Sequence, residues 1–209
     1  MNAQTERLVL TAGAGAVEAL RDVPGGEAPA RGVAVIAHPH PLFGGTMDNK
    51  VVQTLARAFT QCGWVAVRFN FRGVGASAGV HDEGRGEAED LQAVVRAVAP
   101  DGPLALAGFS FGAFVTCAAL AGIAPARPVD KIVLVGTAAS RFAVPPLPAD
   151  AHDRALVVHG EADDTVPLAS VMDWARPQTL PVTVVPAGGH FFHGQLPLLK
   201  NLVVRHLRA

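Results

Sequence analysis

The chain has 209 residues, half of them hydrophobic and 17% charged, and its 17 lysines and arginines against 18 aspartates and glutamates give a formal net charge of -1. That length suits one domain spanning 1–209, which buries roughly 70% of its extended surface. The mixed, near-neutral charge excludes the electrostatic footprint of a DNA, RNA or anionic-membrane partner, and two cysteines, Cys62 and Cys117, are too few for a disulfide framework and read as buried thiols.

Met1–Thr11 has polar and charged residues where a secretory leader has its apolar stretch, so no leader and a cytoplasmic location are expected. Residues 7–22 read as an antiparallel hairpin at a sheet edge. A strand, Val33–Ala37, leads to Val51, Val52, Leu55, Ala56 and Phe59 at helical spacing, with Asp48 as the expected cap and Gly63 as the stop. Strand Val65–Phe69 is followed by a glycine-rich turn, Arg72–Ser77, which leaves Arg72 either near a site or in solvent. A helix with Leu91, Val94, Val95 and Val98 on one face then ends before Pro100. Gly102–Ala126 is uncharged and long enough to span a bilayer, yet its Ala and Gly content and its bounding prolines, Pro103 and Pro125, predict a buried strand plus a buried helix. Strands Ile132–Val135, Leu156–Gly160 and Val182–Val185 follow. Leu196, Leu199, Val203 and Leu207 stripe a closing helix that tolerates Pro197 in its first turn. Such alternation calls for an α/β fold, a mainly parallel sheet with helices on both faces.

Within that frame, Gly108-Phe109-Ser110-Phe111-Gly112 joins a strand to a small-residue run, the pattern of a nucleophile elbow, in which a sharp strand-to-helix turn exposes the serine hydroxyl. A serine is a poor nucleophile near neutral pH and needs a base and an acid to orient that base. Asp163 and Asp164 lie just past the strand Leu156–Gly160, and His190 and His193 lie past Val182–Val185. Each candidate follows its own parallel strand, so one sheet edge can collect all three.

Taken with His38–Gly45, Asn49–Val52, Arg68–Gly75 with Ser77, and Asp163–Pro167, these motifs resemble those of a small, lidless α/β-hydrolase of the bacterial esterase group related to dienelactone hydrolases. The likeness spans nearly the whole chain. It departs from dienelactone hydrolases proper in having Ser110 where they use cysteine, and Pro39 where a glycine is common. The resemblance implies an α/β-hydrolase fold with no cap domain, since only Thr137–Asp153 separates two strands where a cap would be inserted. It selects Ser110, Asp163 and His190 as the triad, with Asp164 and His193 as neighbours. It also implies an oxyanion hole from the backbone N–H groups of Phe111 and of His40. Pro39 and Pro41 have no N–H, and Leu42 is the alternative donor.

The implied activity is hydrolysis of an acyl ester or thioester, with no cofactor and no metal. Phe43, Phe142 and Phe191, with Phe111 and Phe192, are expected to give the site an apolar wall suited to a small or medium acyl group better than to a charged one, and Val144 and Leu147 to line its mouth. A serine peptidase, an acyltransferase and a non-catalytic scaffold share the fold as alternatives. The pairs His38/His40 and His190/His193 invite a zinc reading, but no H-E-x-x-H motif accompanies them.

Overall fold

Strands β1 (Thr5–Ala12) and β2 (Gly15–Asp22) form the expected edge hairpin, and β2 continues antiparallel onto β4 (Val65–Phe69). From there the sheet is parallel: β3 (Val33–Ala37), β5 (Leu104–Phe109), β6 (Lys131–Val135), β7 (Ala155–Gly160) and β8 (Val182–Val185) complete the order β1-β2-β4-β3-β5-β6-β7-β8. The computed structural model describes residues 5–26 and 28–209. The sequence expectation for Met1–Thr11 therefore falls partly outside it, and from Thr5 onward that segment is β1.

Every residue of β4 and β5 is buried, as expected for central strands covered on both faces, and this is why their sequences run apolar instead of alternating, apart from Arg68, whose guanidinium pairs with Asp22. Helices α1 (Lys50–Gln61) and α5 (Leu196–Arg208) share one core with the sheet, where Val51, Leu55 and Phe59 join Leu199, Val203 and Leu207. The opposite core takes α2 (Arg85–Val98), α3 (Phe111–Ile123) and α4 (Leu168–Ala175). Both cysteines are buried and free. Gly102–Ala126 becomes β5 and α3, and among the described residues no helix is long and apolar enough to cross a membrane.

Three local expectations need correction. Asn49, not Asp48, caps α1: its side chain accepts from Val51 N at 2.9 Å, while Asp48 pairs with Arg68 at 3.2 Å. Arg72 is neither at the site nor solvated. Its guanidinium grips Asp90 at 2.7 and 2.9 Å and the Gly86 carbonyl at 2.7 Å, tying the glycine-rich turn to α2. In the prolyl segment after β6, Val144 and Leu147 pack inward against the core instead of lining the mouth. The segment is drawn down because Leu147 N donates to Gln178 and Trp174 Nε1 donates to the Pro145 carbonyl. Among the described residues no helical cap stands over the sheet edge.

Candidate active site

Ser110 sits between β5 and α3 with φ 57 and ψ -116, a backbone region that costs a non-glycine residue roughly 1–3 kcal/mol. The turn survives because its surroundings hold it: Ser110 N donates to the Val135 carbonyl at 2.8 Å. Its flanks must also be bare. A Cβ at Gly108 would strike the Gly112 carbonyl, and one at Gly112 would strike the Ala37 carbonyl on the neighbouring strand. The result is a hydroxyl lifted to the carboxyl edge of the sheet, buried but facing a cavity.

His190, in the loop after β8, reaches that hydroxyl, with Nε2 3.0 Å from Ser110 Oγ and Nδ1 2.7 Å from Asp163 Oδ2. An ionised carboxylate only accepts, so Nδ1 carries the proton and Nε2 turns a lone pair to the serine. Asp163 is fixed in turn, its Oδ1 accepting from Thr165 N at 3.0 Å and Val166 N at 2.7 Å. Burial opposes its ionisation. The His190 hydrogen bond and the Val166 amide outweigh that and hold the carboxyl below the usual carboxylate range. The other candidates point elsewhere: Asp164 is exposed and accepts from Thr165 Oγ1, and His193 is exposed without capping α5.

One residue close to this group escaped the sequence reading. His159 is wholly buried on β7, its Nε2 2.9 Å from the Val166 carbonyl and 3.5 Å from Asp163 Oδ2. It braces the turn that presents Asp163, and the available signal was its position four residues before that aspartate. Burial, with His190 in support, lowers its pKa against the opposing pull of Val166 and Asp163.

The loop after β3 folds around two histidines with separate tasks. His38 has both nitrogens engaged, Nδ1–H donating to the Pro39 carbonyl at 2.6 Å and Nε2 accepting from Phe71 N at 3.0 Å, which leaves it no lone pair for a metal. The His40 ring accepts from Leu42 N at 3.2 Å and so occupies the alternative oxyanion donor. His40 and Phe111 line one cavity with Ser110 and His190. As the first residue of α3, Phe111 has an N–H with no helical acceptor.

This cavity holds about 360 Å³ and has two aromatic walls. On one, His40 packs against Phe43 and Phe111 at 4.9 and 4.8 Å between ring centroids, and Phe142 lies 5.2 Å from Phe111. On the other, Phe191 crosses His190 at 5.1 Å. Phe43, Phe142 and Phe191 all line this cavity. Phe192 does not: a turn closed by Phe192 N on the Gly189 carbonyl sends its ring into the core with α1 and α5, fully buried. Asn49, Thr165 and Arg141 also line the cavity and were not anticipated; Arg141 was signalled only by its place beside Phe142.

Residues 28–151 match the model of the family described as serine aminopeptidase, S33. The chain belongs to this hydrolase family. A lidless α/β serine hydrolase from Xanthomonas campestris is 36% identical over 100% of this chain and 95% of its own, with a TM-score of 0.87. An α/β serine hydrolase homologue from Coxiella burnetii is 38% identical, covering 97% of each chain, with a TM-score of 0.79. An uncharacterized protein of Rickettsia prowazekii is 41% identical over 87 residues, a match that spans 40% of this chain and only 37% of that relative's length. The hydrolase thus has the lidless α/β-hydrolase architecture, with its N-terminal hairpin on an otherwise parallel sheet.

Proposed function

We propose that the hydrolase cleaves small or medium acyl esters or thioesters through an acyl-enzyme on Ser110. The observation that carries this reading is the unbroken line from Ser110 Oγ through the His190 ring to Asp163 Oδ2, at 3.0 and 2.7 Å. His190 Nε2 takes the hydroxyl proton as Oγ attacks the acyl carbonyl, and Asp163 stabilises the imidazolium that forms. The backbone N–H groups of Phe111 and His40 hold the developing oxyanion. His190 then gives its proton to the departing alcohol or thiol, and water, activated by the same ring, releases the acid and restores Ser110. Phe43, Phe142 and Phe191 offer the acyl chain its apolar contacts, and no step calls for a cofactor.

The family description favours a second reading, cleavage of an aminoacyl amide. A peptide amino terminus is a cation and calls for a carboxylate to receive it. Among the described residues lining the cavity there is no aspartate or glutamate, which supports the ester reading over this one. Ser110→Ala should lower ester turnover by about 10⁶-fold and abolish fluorophosphonate labelling while circular dichroism stays unchanged. Undiminished hydrolysis in that variant would end the proposal; aminoacyl amides turned over faster than para-nitrophenyl esters would favour the peptidase, and a wild-type protein that neither labels nor hydrolyses would be a scaffold.

A further inference from the structure

Arg141 differs from every other residue around the cavity. Among the described residues it is the one lysine or arginine in the lining, and no acidic side chain accompanies it there. It makes no ion pair among the described residues, although Arg68, Arg72 and Arg154 on the same molecule are all paired. Its side chain is exposed, but its backbone is tied: Arg141 N and Phe142 N both donate to the Ala138 carbonyl at 3.1 Å, in a tight turn directly after β6. Phe142 next to it is anchored by stacking on Phe114 at 4.7 Å with 9° between the ring planes.

His40 stands on the same wall, 5.9 Å from the Phe142 ring. Because its Nδ1 accepts from Leu42 N, the neutral ring presents an Nε2–H donor. Burial, then the adjacent His81 and Arg141, push its pKa down against the opposing pull of Glu87, so near neutral pH the ring offers a donor without a charge. The polar atoms supplied by these two side chains on an otherwise phenylalanine wall are therefore donors, one of them a guanidinium, whose flat fork matches a carboxylate.

We infer that this wall is an anion subsite, in which Arg141, with His40 Nε2–H in support, receives a free carboxylate carried by the acyl part of the substrate at a distance from the scissile ester. The substrate class is then the half-ester of a dicarboxylic acid, its apolar middle lying on Phe142 and Phe111 and its far end on Arg141. This rests on the acyl-enzyme reading above and narrows it. It also departs from the sequence expectation of an uncharged acyl group, because the phenylalanines were visible in the sequence and the cation facing the same space was not.

The test compares para-nitrophenyl hexanoate with the mono-para-nitrophenyl ester of adipic acid, each kcat/KM divided by that ester's spontaneous hydrolysis rate. An exposed guanidinium supports only a modest preference, so the wild-type enzyme should favour the half-ester by about fivefold at low ionic strength, with the preference fading as salt is added. Arg141→Gln should erase the preference while leaving hexanoate turnover within about twofold of wild type. Equal normalised rates in the wild type, or a preference that survives in Arg141→Gln, would overturn the subsite. Loss of turnover with both esters would instead sink the Ser110 chemistry. The subsite is then judged by calorimetric binding of the two esters to Ser110→Ala and to the double variant Ser110→Ala, Arg141→Gln, where the half-ester must bind tighter only when Arg141 is present.

Discussion

Two carboxylate–imidazole pairs among the described residues have nearly the same geometry, the buried Asp163 with His190 Nδ1 at 2.7 Å and the buried Glu87 with the half-buried His81 Nδ1 at 2.8 Å. Only the first faces a nucleophile. His190 Nε2 meets Ser110 Oγ, whereas the His81 ring lies against His40 and Phe111 at 4.8 and 5.4 Å. The carboxylates differ as well. Asp163 Oδ1 accepts from two amides of its own tight turn and so aims Oδ2 at His190. Glu87 spends its remaining capacity on Asp82 N and Gly84 N, closing the start of α2. A carboxylate at an imidazole is thus a structural device until a hydroxyl stands at the far nitrogen.

Asp163→Asn puts the greatest strain on that distinction. Thr165 N and Val166 N demand an oxygen at the Oδ1 position, so the new NH₂ must face His190. His190 Nδ1 then has to accept, its proton moves to Nε2, and the ring can no longer take the proton of Ser110. Ester kcat should fall by about 10⁴-fold with little change in melting temperature. A loss under tenfold in steady-state kinetics would mean that Asp163 does not set the tautomer.

His38 supplies a control with no carboxylate at all. Burial pushes its pKa down to about 4, against the hydrogen bond to the Pro39 carbonyl, which raises it. The sign follows from the unfolded chain, where an imidazole titrates near 6.5: below that pH the unfolded state takes up a proton that the native state refuses. Stability is full above about 6.5 and is lost as pH falls toward 4, by about 3 kcal/mol for this one ring. Urea unfolding between pH 7 and 4 should show the decline. His206, also lowered to about 4 by burial and by Lys131, adds to the same window, as do the lowered His40 and His159, so the His38 share is the difference between wild type and His38→Gln. An equal decline in the two proteins would show that His38 is not held neutral.

The legible and illegible parts of the chain divide along the same physical line. The parallel strands could be read because both of their faces are covered, and the elbow because its turn is local and requires Gly108 and Gly112. Strand order led only as far as Asp163 or Asp164 and His190 or His193, and the resemblance to α/β-hydrolases chose between them. Loop side chains have no such period. Nothing in His190-Phe191-Phe192-His193 says that Phe191 stays at the rim while Phe192 enters the core, and nothing in the prolyl segment says that Leu147 turns inward while Arg141 faces the cavity. Helix α4 was missed because only Val171 and Ala175 in it are buried, too few to write a stripe. His159 reads as one more strand residue until Asp163 is folded beside it.

Glu87→Gln is the converse of Asp163→Asn and should have the smallest effect on catalysis. The Glu87 carboxylate has no exposed surface, and its Oε1 accepts from His81 Nδ1 and Asp82 N while Oε2 accepts from Gly84 N. An amide can keep only one of those oxygens, so at least one buried donor meets an NH₂ group. That mismatch costs about 1–3 kcal/mol, visible as a lower urea midpoint. His81 is separated from Ser110 by the rings of His40 and Phe111, so ester kcat should stay within about threefold of wild type once the variant is folded. Should Glu87→Gln instead depress kcat as deeply as Asp163→Asn while remaining as stable as wild type, the two pairs would be one catalytic network, and the contrast between them would have to be abandoned.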